Sequence, residues 1–99
     1  EVAVKVIRPE VLAKAGAADR FVAEARAAAA VEHDHVVGVF AVDTFDGVPC
    51  LTMPLLRGRT LDAALRDADG PLPPAEAVRI AREAALGLAA AHAKGLVHR

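Results

Sequence analysis

The 99-residue sequence predicts an α+β chain in which a strand and a helix precede a β-hairpin and two further helices follow it. Three observations carry that prediction. Residues 2–7, VAVKVI, alternate with period two, the spacing of side chains on a strand. Two β-rich runs, VVGVFAV (36–42) and VPCLTM (48–53), flank DTFDG, and its Asp46-Gly47 pair suits a tight turn because glycine accepts positive φ at little cost. Two Ala-rich stretches, one before the hairpin and one after it, have strong helix propensity.

The first strand sets Val2, Val4 and Val6 on one face and Ala3, Lys5 and Ile7 on the other. RPEVLAKAGA follows as a connector holding Pro9 and Gly16. DRFVAEARAAAAVEH then predicts a helix from Asp19 to Glu32, ended at HDH. On its wheel Glu24 falls between Phe21, Ala28 and Val31, whereas Asp19 and Arg26 point away. A carboxylate on an apolar face needs a cation or hydrogen-bond donors, because burying it unpaired is costly. Lys5 is the basic side chain on a matching strand face, so the residues predict a Lys5–Glu24 ion pair. The plainer alternative for Lys5 is an edge-strand charge that discourages aggregation.

Beyond the hairpin, PLLRGR (54–59) reads as an extended linker and TLDAALRDA (60–68) as a short helix with Thr60 at its N-cap. After the turn DGPLP, PAEAVRIAREAALGLAAAHAK is the longest helix, starting near Pro74, where a missing N–H costs nothing. Val78, Ala81, Ala85, Leu88 and His92 form its expected buried stripe. Glu76, Arg79 and Glu83 lie opposite, at pairing distance. Gly95 is the expected C′ residue with Lys94 beside the negative helix end, and LVHR leaves as an extended segment.

Composition excludes several classes. Twelve basic against thirteen acidic residues give a formal charge of −1, without the basic excess that nucleic acid or an anionic membrane selects. Cys50 is alone, which fits a reducing, cytoplasmic compartment. No apolar run reaches the roughly 18–20 residues of a transmembrane helix. His33 and His35, with His92 and His98 far off in sequence, lack zinc-site spacing, and no metal site is expected. Hydrophobic residues reach 55% but aromatics only 3%, and about a quarter of the chain is alanine, so a core built from it needs neighbours. Glu1 and Arg99 therefore read as internal positions of a longer domain.

Taken in order, VAVK, FVAEARAAAAVEHDHVV, CLTMPLLRGRTL and AHAKGLVHR resemble the catalytic domain of a eukaryotic-like (Hanks-type) bacterial Ser/Thr protein kinase. The resemblance covers the whole chain and implies part of a two-lobed α+β fold. Residues 1–53 would be the third, fourth and fifth N-lobe strands with the C-helix, 54–59 the hinge and linker, and 60–99 the start of the C-lobe with its D- and E-helices. It implies ATP and Mg2+ as cofactors, a protein Ser or Thr hydroxyl as acceptor, and no nucleic acid. Lys5 would hold the α/β-phosphates and pair with Glu24. Ala3 would form part of the adenine ceiling, and Met53 would be the gatekeeper. Pro54 departs from the acidic residue often found there, yet keeps the carbonyl that accepts from the 6-amino group. The Leu56 N–H would meet the purine ring, and Thr60 would either touch the ribose or simply cap its helix. HDHVV resembles the turn after the C-helix.

The closing GLVHR resembles the start of the catalytic loop, with His98 packing and Arg99 suited to a phosphorylated activation loop. The Gly-rich loop, the catalytic Asp and the magnesium ligands fall outside these residues, so the stretch alone is expected to be inactive. Two other readings stand beside this one. A pseudokinase or nucleotide-binding scaffold would lack the Asp altogether. An Ala-rich helical interaction module would leave Lys5 and Glu24 unexplained.

Overall fold

The computed structural model describes residues 1–98. Along the chain run β1 (Val2–Val6), α1 (Pro9–Leu12), α2 (Ala17–Ala29), β2 (Ala41–Phe45), β3 (Val48–Pro54), α3 (Leu61–Arg66) and α4 (Pro74–Ala93). The strands form one antiparallel sheet in the order β1-β3-β2, so the last strand is central.

The hairpin joining β2 and β3 turns at Asp46 and Gly47, with φ of 48° and 78°. Positive φ at both central residues matches the right-handed twist of the flanking strands. Register with β3 begins at Ala41 opposite Thr52, and the Phe40 N–H adds one bond to the Thr52 carbonyl at 2.8 Å. The predicted strand over 36–42 is therefore displaced. Residues 36–40 read as β because they are rich in valine, but they lie beyond the paired register, and Val36 and Val37 line a groove against α4 instead.

The connector after β1 contains the one-turn helix α1, with Pro9 at its start. Helix α2 starts two residues earlier than predicted, behind Gly16 in the left-handed region (φ 69°), and ends three residues earlier, at Ala29. Its last turn tightens, with Ala30 and Val31 N–H groups bonding carbonyls three residues back at 3.2 and 3.1 Å. That turn buries Val31 and releases His33 into a separate bend.

At the other end of the chain, the Thr60 hydroxyl accepts the Ala63 N–H at 3.1 Å and caps α3. Helix α4 ends on a Schellman pattern. Gly95 (φ 77°) donates to His92 at 2.9 Å and Leu96 to Ala91 at 3.0 Å, which satisfies carbonyls that the helix leaves open.

The core is small: Ile7, Ala17, Ala25, Val31, Cys50 and Leu51. Leu51, Ile7 and Pro49 lie on the sheet face that carries Ala3 and Lys5, whereas Val2, Val4 and Val6 on the other face are exposed. The radius of gyration is 16.0 Å, against roughly 13 Å for a compact chain of this length. Helix α4 accounts for much of that difference. Val78, Ala81, Ala85, Leu88 and His92, predicted as its buried stripe, are all exposed, and Gly87 is its buried residue. No element among the described residues packs along the length of the stripe. The opposite face behaves as predicted, with Arg79 bridging Glu76 at 2.6 Å and Glu83 at 3.0 Å.

Candidate active site

Strand register builds the site. Ala3 stands opposite Met53 and Lys5 opposite Leu51, with Val42 on the far side of Leu51. Residues directly opposed across strands share a face. Ala3, Lys5, Leu51 and Met53 therefore form one surface. Small Ala3 and half-buried Met53 lie nearer the linker that follows β3, and Lys5 lies one row further in. A lysine there rises from an apolar floor, with its stem against Leu51 and its ammonium in solvent, as amphipathic side chains do.

The Lys5–Glu24 pair is not formed. Lys5 makes no ion pair among the described residues. Glu24 is exposed rather than on the buried face, and it lines a small opening with Gly95, Leu96 and Val97. The reason lies in the centre of the α2 stripe. Ala25 is buried and Phe21, Val22 and Ala28 are half-buried, so Glu24 falls on the flank that faces the chain after α4.

The linker begins one residue later than predicted. Pro54 closes β3, opposite Val2, a strand end where a residue without an N–H is tolerated. Leu55 and Leu56 then leave the sheet exposed, and their N–H groups take no part in the chain's own backbone hydrogen bonds. Arg57 reaches back to Glu1 at 3.3 Å and Arg59 forward to Asp67 at 3.5 Å, two exposed pairs flanking Gly58. The Thr60 side chain is engaged as the α3 cap.

His98 is exposed and stands on the rim of an apolar groove of about 380 Å³ between the end of α2, the 35–37 segment and α4. Arg99 lies outside the described residues. His33 and His35 meet in the bend before β2, where the His33 Nδ1 accepts the His35 N–H at 3.1 Å. The group with a pronounced carboxylate shift lies elsewhere: the hydrogen bond from Arg79 holds the Glu76 carboxyl below its usual range. Among the described residues no three His, Cys, Asp or Glu side chains are grouped to hold a metal ion, and no helix is long and apolar enough to cross a membrane.

The sequence reading passed over Gly87. Its signal was a lone glycine inside an alanine-rich helix, where it weakens the helix and so points to a close packing contact.

The profile of the family "Protein tyrosine and serine/threonine kinase" matches residues 1–99. The chain is 40% identical over 99 residues to the serine/threonine-protein kinase pkn2 of Myxococcus xanthus, covering all of this chain and 12% of that protein. It is 39% identical over 98 residues to the serine/threonine-protein kinase PkaB of Streptomyces coelicolor, covering 99% of this chain and 23% of that protein. The crystal structure of a mutant PknI kinase domain of Mycobacterium tuberculosis superposes with a TM-score of 0.88 at 31% identity, over 99% of this chain and 40% of that one. The chain thus spans less than a quarter of the length of these two curated relatives. Strand order, the surface around Lys5 and these matches agree: the chain belongs to the protein tyrosine and serine/threonine kinase family.

Proposed function

We propose that the protein containing this chain transfers the γ-phosphoryl group of Mg-ATP to a serine or threonine hydroxyl of a protein, in the cytoplasm. The register that sets Ala3, Lys5 and Met53 on one face beside the hinge carries this reading. Adenine lies between Ala3 and the hinge, with Met53 behind it. The Pro54 carbonyl accepts from the 6-amino group and the Leu56 N–H donates to the ring. Lys5 anchors the α/β-phosphates as a fixed cation, a contribution that grows once water leaves the cleft. Glu24 holds the Lys5 ammonium in place through an ion pair formed in the active arrangement, and Thr60 stays a helix cap. His98 supports the start of the catalytic loop by packing, and Arg99 meets phosphate on the activation segment.

Magnesium, when bound, neutralises charge on the transferring phosphate. The described residues hold no acidic group suited to it, so its ligands and the proton acceptor belong to other parts of the longer protein. Residues 1–99 alone would not turn over. The reaction class is tested by incubating the longer protein with labelled Mg-ATP and a protein acceptor, then identifying the labelled amino acid. Phosphoserine and phosphothreonine are expected. Phosphotyrosine would correct the acceptor, and nucleotide binding without transfer would make the protein a pseudokinase.

A further inference from the structure

Helix α4 is rich in alanine, and a glycine in a helix interior costs about 0.5–1 kcal/mol relative to alanine, so Gly87 needs a reason. That reason is a backbone contact. A Cβ on Gly87 would lie 2.5 Å from the carbonyl oxygen of His35, 3.3 Å from its carbonyl carbon and 3.4 Å from Val36 Cγ2. Helix α4 therefore meets the bend after α2 backbone to backbone, with no room for a side chain.

The bend has its own lock. The His33 Nδ1 accepts the His35 N–H at 3.1 Å, two residues on, as an Asn or Asp side chain does in an Asx turn. The Val36 N–H closes on the His33 carbonyl at 3.0 Å. The lock fixes the peptide units that present the His35 carbonyl to Gly87. On one side of this seat is α2, which carries Glu24. On the other is α4, which runs into Leu96, Val97 and His98.

We propose that His33 and Gly87 are positioning residues: a histidine-locked bend seated in a glycine notch sets α2 against α4, and with it Glu24 against the segment ending at His98. The inference rests on the kinase reading and deepens it. Neither residue lies on the sheet face of Ala3, Lys5 and Met53, so the seat governs turnover more than nucleotide affinity.

The test uses steady-state kinetics of the longer protein. Misplacing reacting groups by about 1 Å costs on the order of 100-fold, so Gly87→Ala should lower kcat by about 10- to 100-fold while the KM for ATP stays within about twofold. His33→Asn keeps an acceptor at the same place and should remain within about twofold of wild type, whereas His33→Leu should fall as Gly87→Ala does. Because both lesions release one contact, the double variant Gly87→Ala/His33→Leu should be no slower than the slower single. Melting temperatures separate loss of position from loss of fold. An unchanged kcat in Gly87→Ala, His33→Asn as slow as His33→Leu, or losses that merely track the unfolded fraction would overturn the proposal. A wild type that transfers no phosphoryl group would fail the kinase reading alone. The seat is then read from exchange of the His35 and Val36 amides, protected in wild type and His33→Asn and released in His33→Leu. Equal protection in all three would overturn it.

Discussion

Lys5 and Glu24 show what a residue-scale argument reaches and where it stops. Alternation placed Lys5 on the face of Ala3 and Ile7, and the register with β3 puts that face against Leu51 and Met53. The helical wheel placed Glu24 beside Phe21 and Ala28, but the helix rotates about Ala25 and leaves the carboxylate exposed toward Gly95–Val97. A wheel gives the angular neighbours of a residue. Which flank is covered depends on elements that the wheel does not contain. Under the proposed mechanism, Glu24→Gln in the longer protein keeps the side-chain shape and removes the charge that orients Lys5. Its kcat should drop by about 100-fold, with a melting temperature close to wild type. A kcat within twofold of wild type would detach Glu24 from Lys5.

At the scale of elements, local chemistry was legible wherever a single residue type decides the backbone. Asp46-Gly47 made the turn, Thr60 the cap, Pro74 the helix start and Gly95 the stop. Long-range pairing decided the rest. The valine run 36–40 has strand propensity, yet lies outside the register with β3 and packs toward α4. Gly47 at φ 78° should resist alanine, which would strain the left-handed turn and destabilise the domain by about 1 kcal/mol in denaturant unfolding. Thr60→Ala should cost a similar amount, about 1 kcal/mol, by opening the α3 cap. The Arg79 triad offers a pH test. Glu76 titrates below its ordinary value because Arg79 bonds its ionised form. Its small stabilising share is present above the unfolded carboxylate pKa and is lost as pH falls through the depressed folded value. In NMR titration, Arg79→Ala should return Glu76 toward the usual carboxylate range.

The whole molecule is a small sheet-and-helix unit joined by an exposed linker to helices whose apolar sides are open. Val2, Val4 and Val6 on the sheet, and Val78, Leu86 and Leu88 on α4, are all more than a third exposed. Composition anticipated this, since alanine buries too little area for so short a chain to close on itself. The stripe on α4 was read as buried because a helix pattern reports what a face is suited to meet, whether or not the partner is among these residues. With a formal charge of only −1 to oppose association, the 99 residues prepared alone should self-associate in sedimentation velocity as concentration rises. The complete kinase domain should stay monomeric over the same range.

The central claim is that Lys5 is the phosphate anchor of a kinase cleft, and Lys5→Ala in the longer protein tests it most directly. The measurement pairs ATP-dependent phosphorylation of a protein acceptor with the melting temperature of the variant. The account predicts that transfer falls by about 100-fold or more while the fold is kept, because an exposed strand lysine contributes little to stability. A folded Lys5→Ala protein as active as wild type would contradict it.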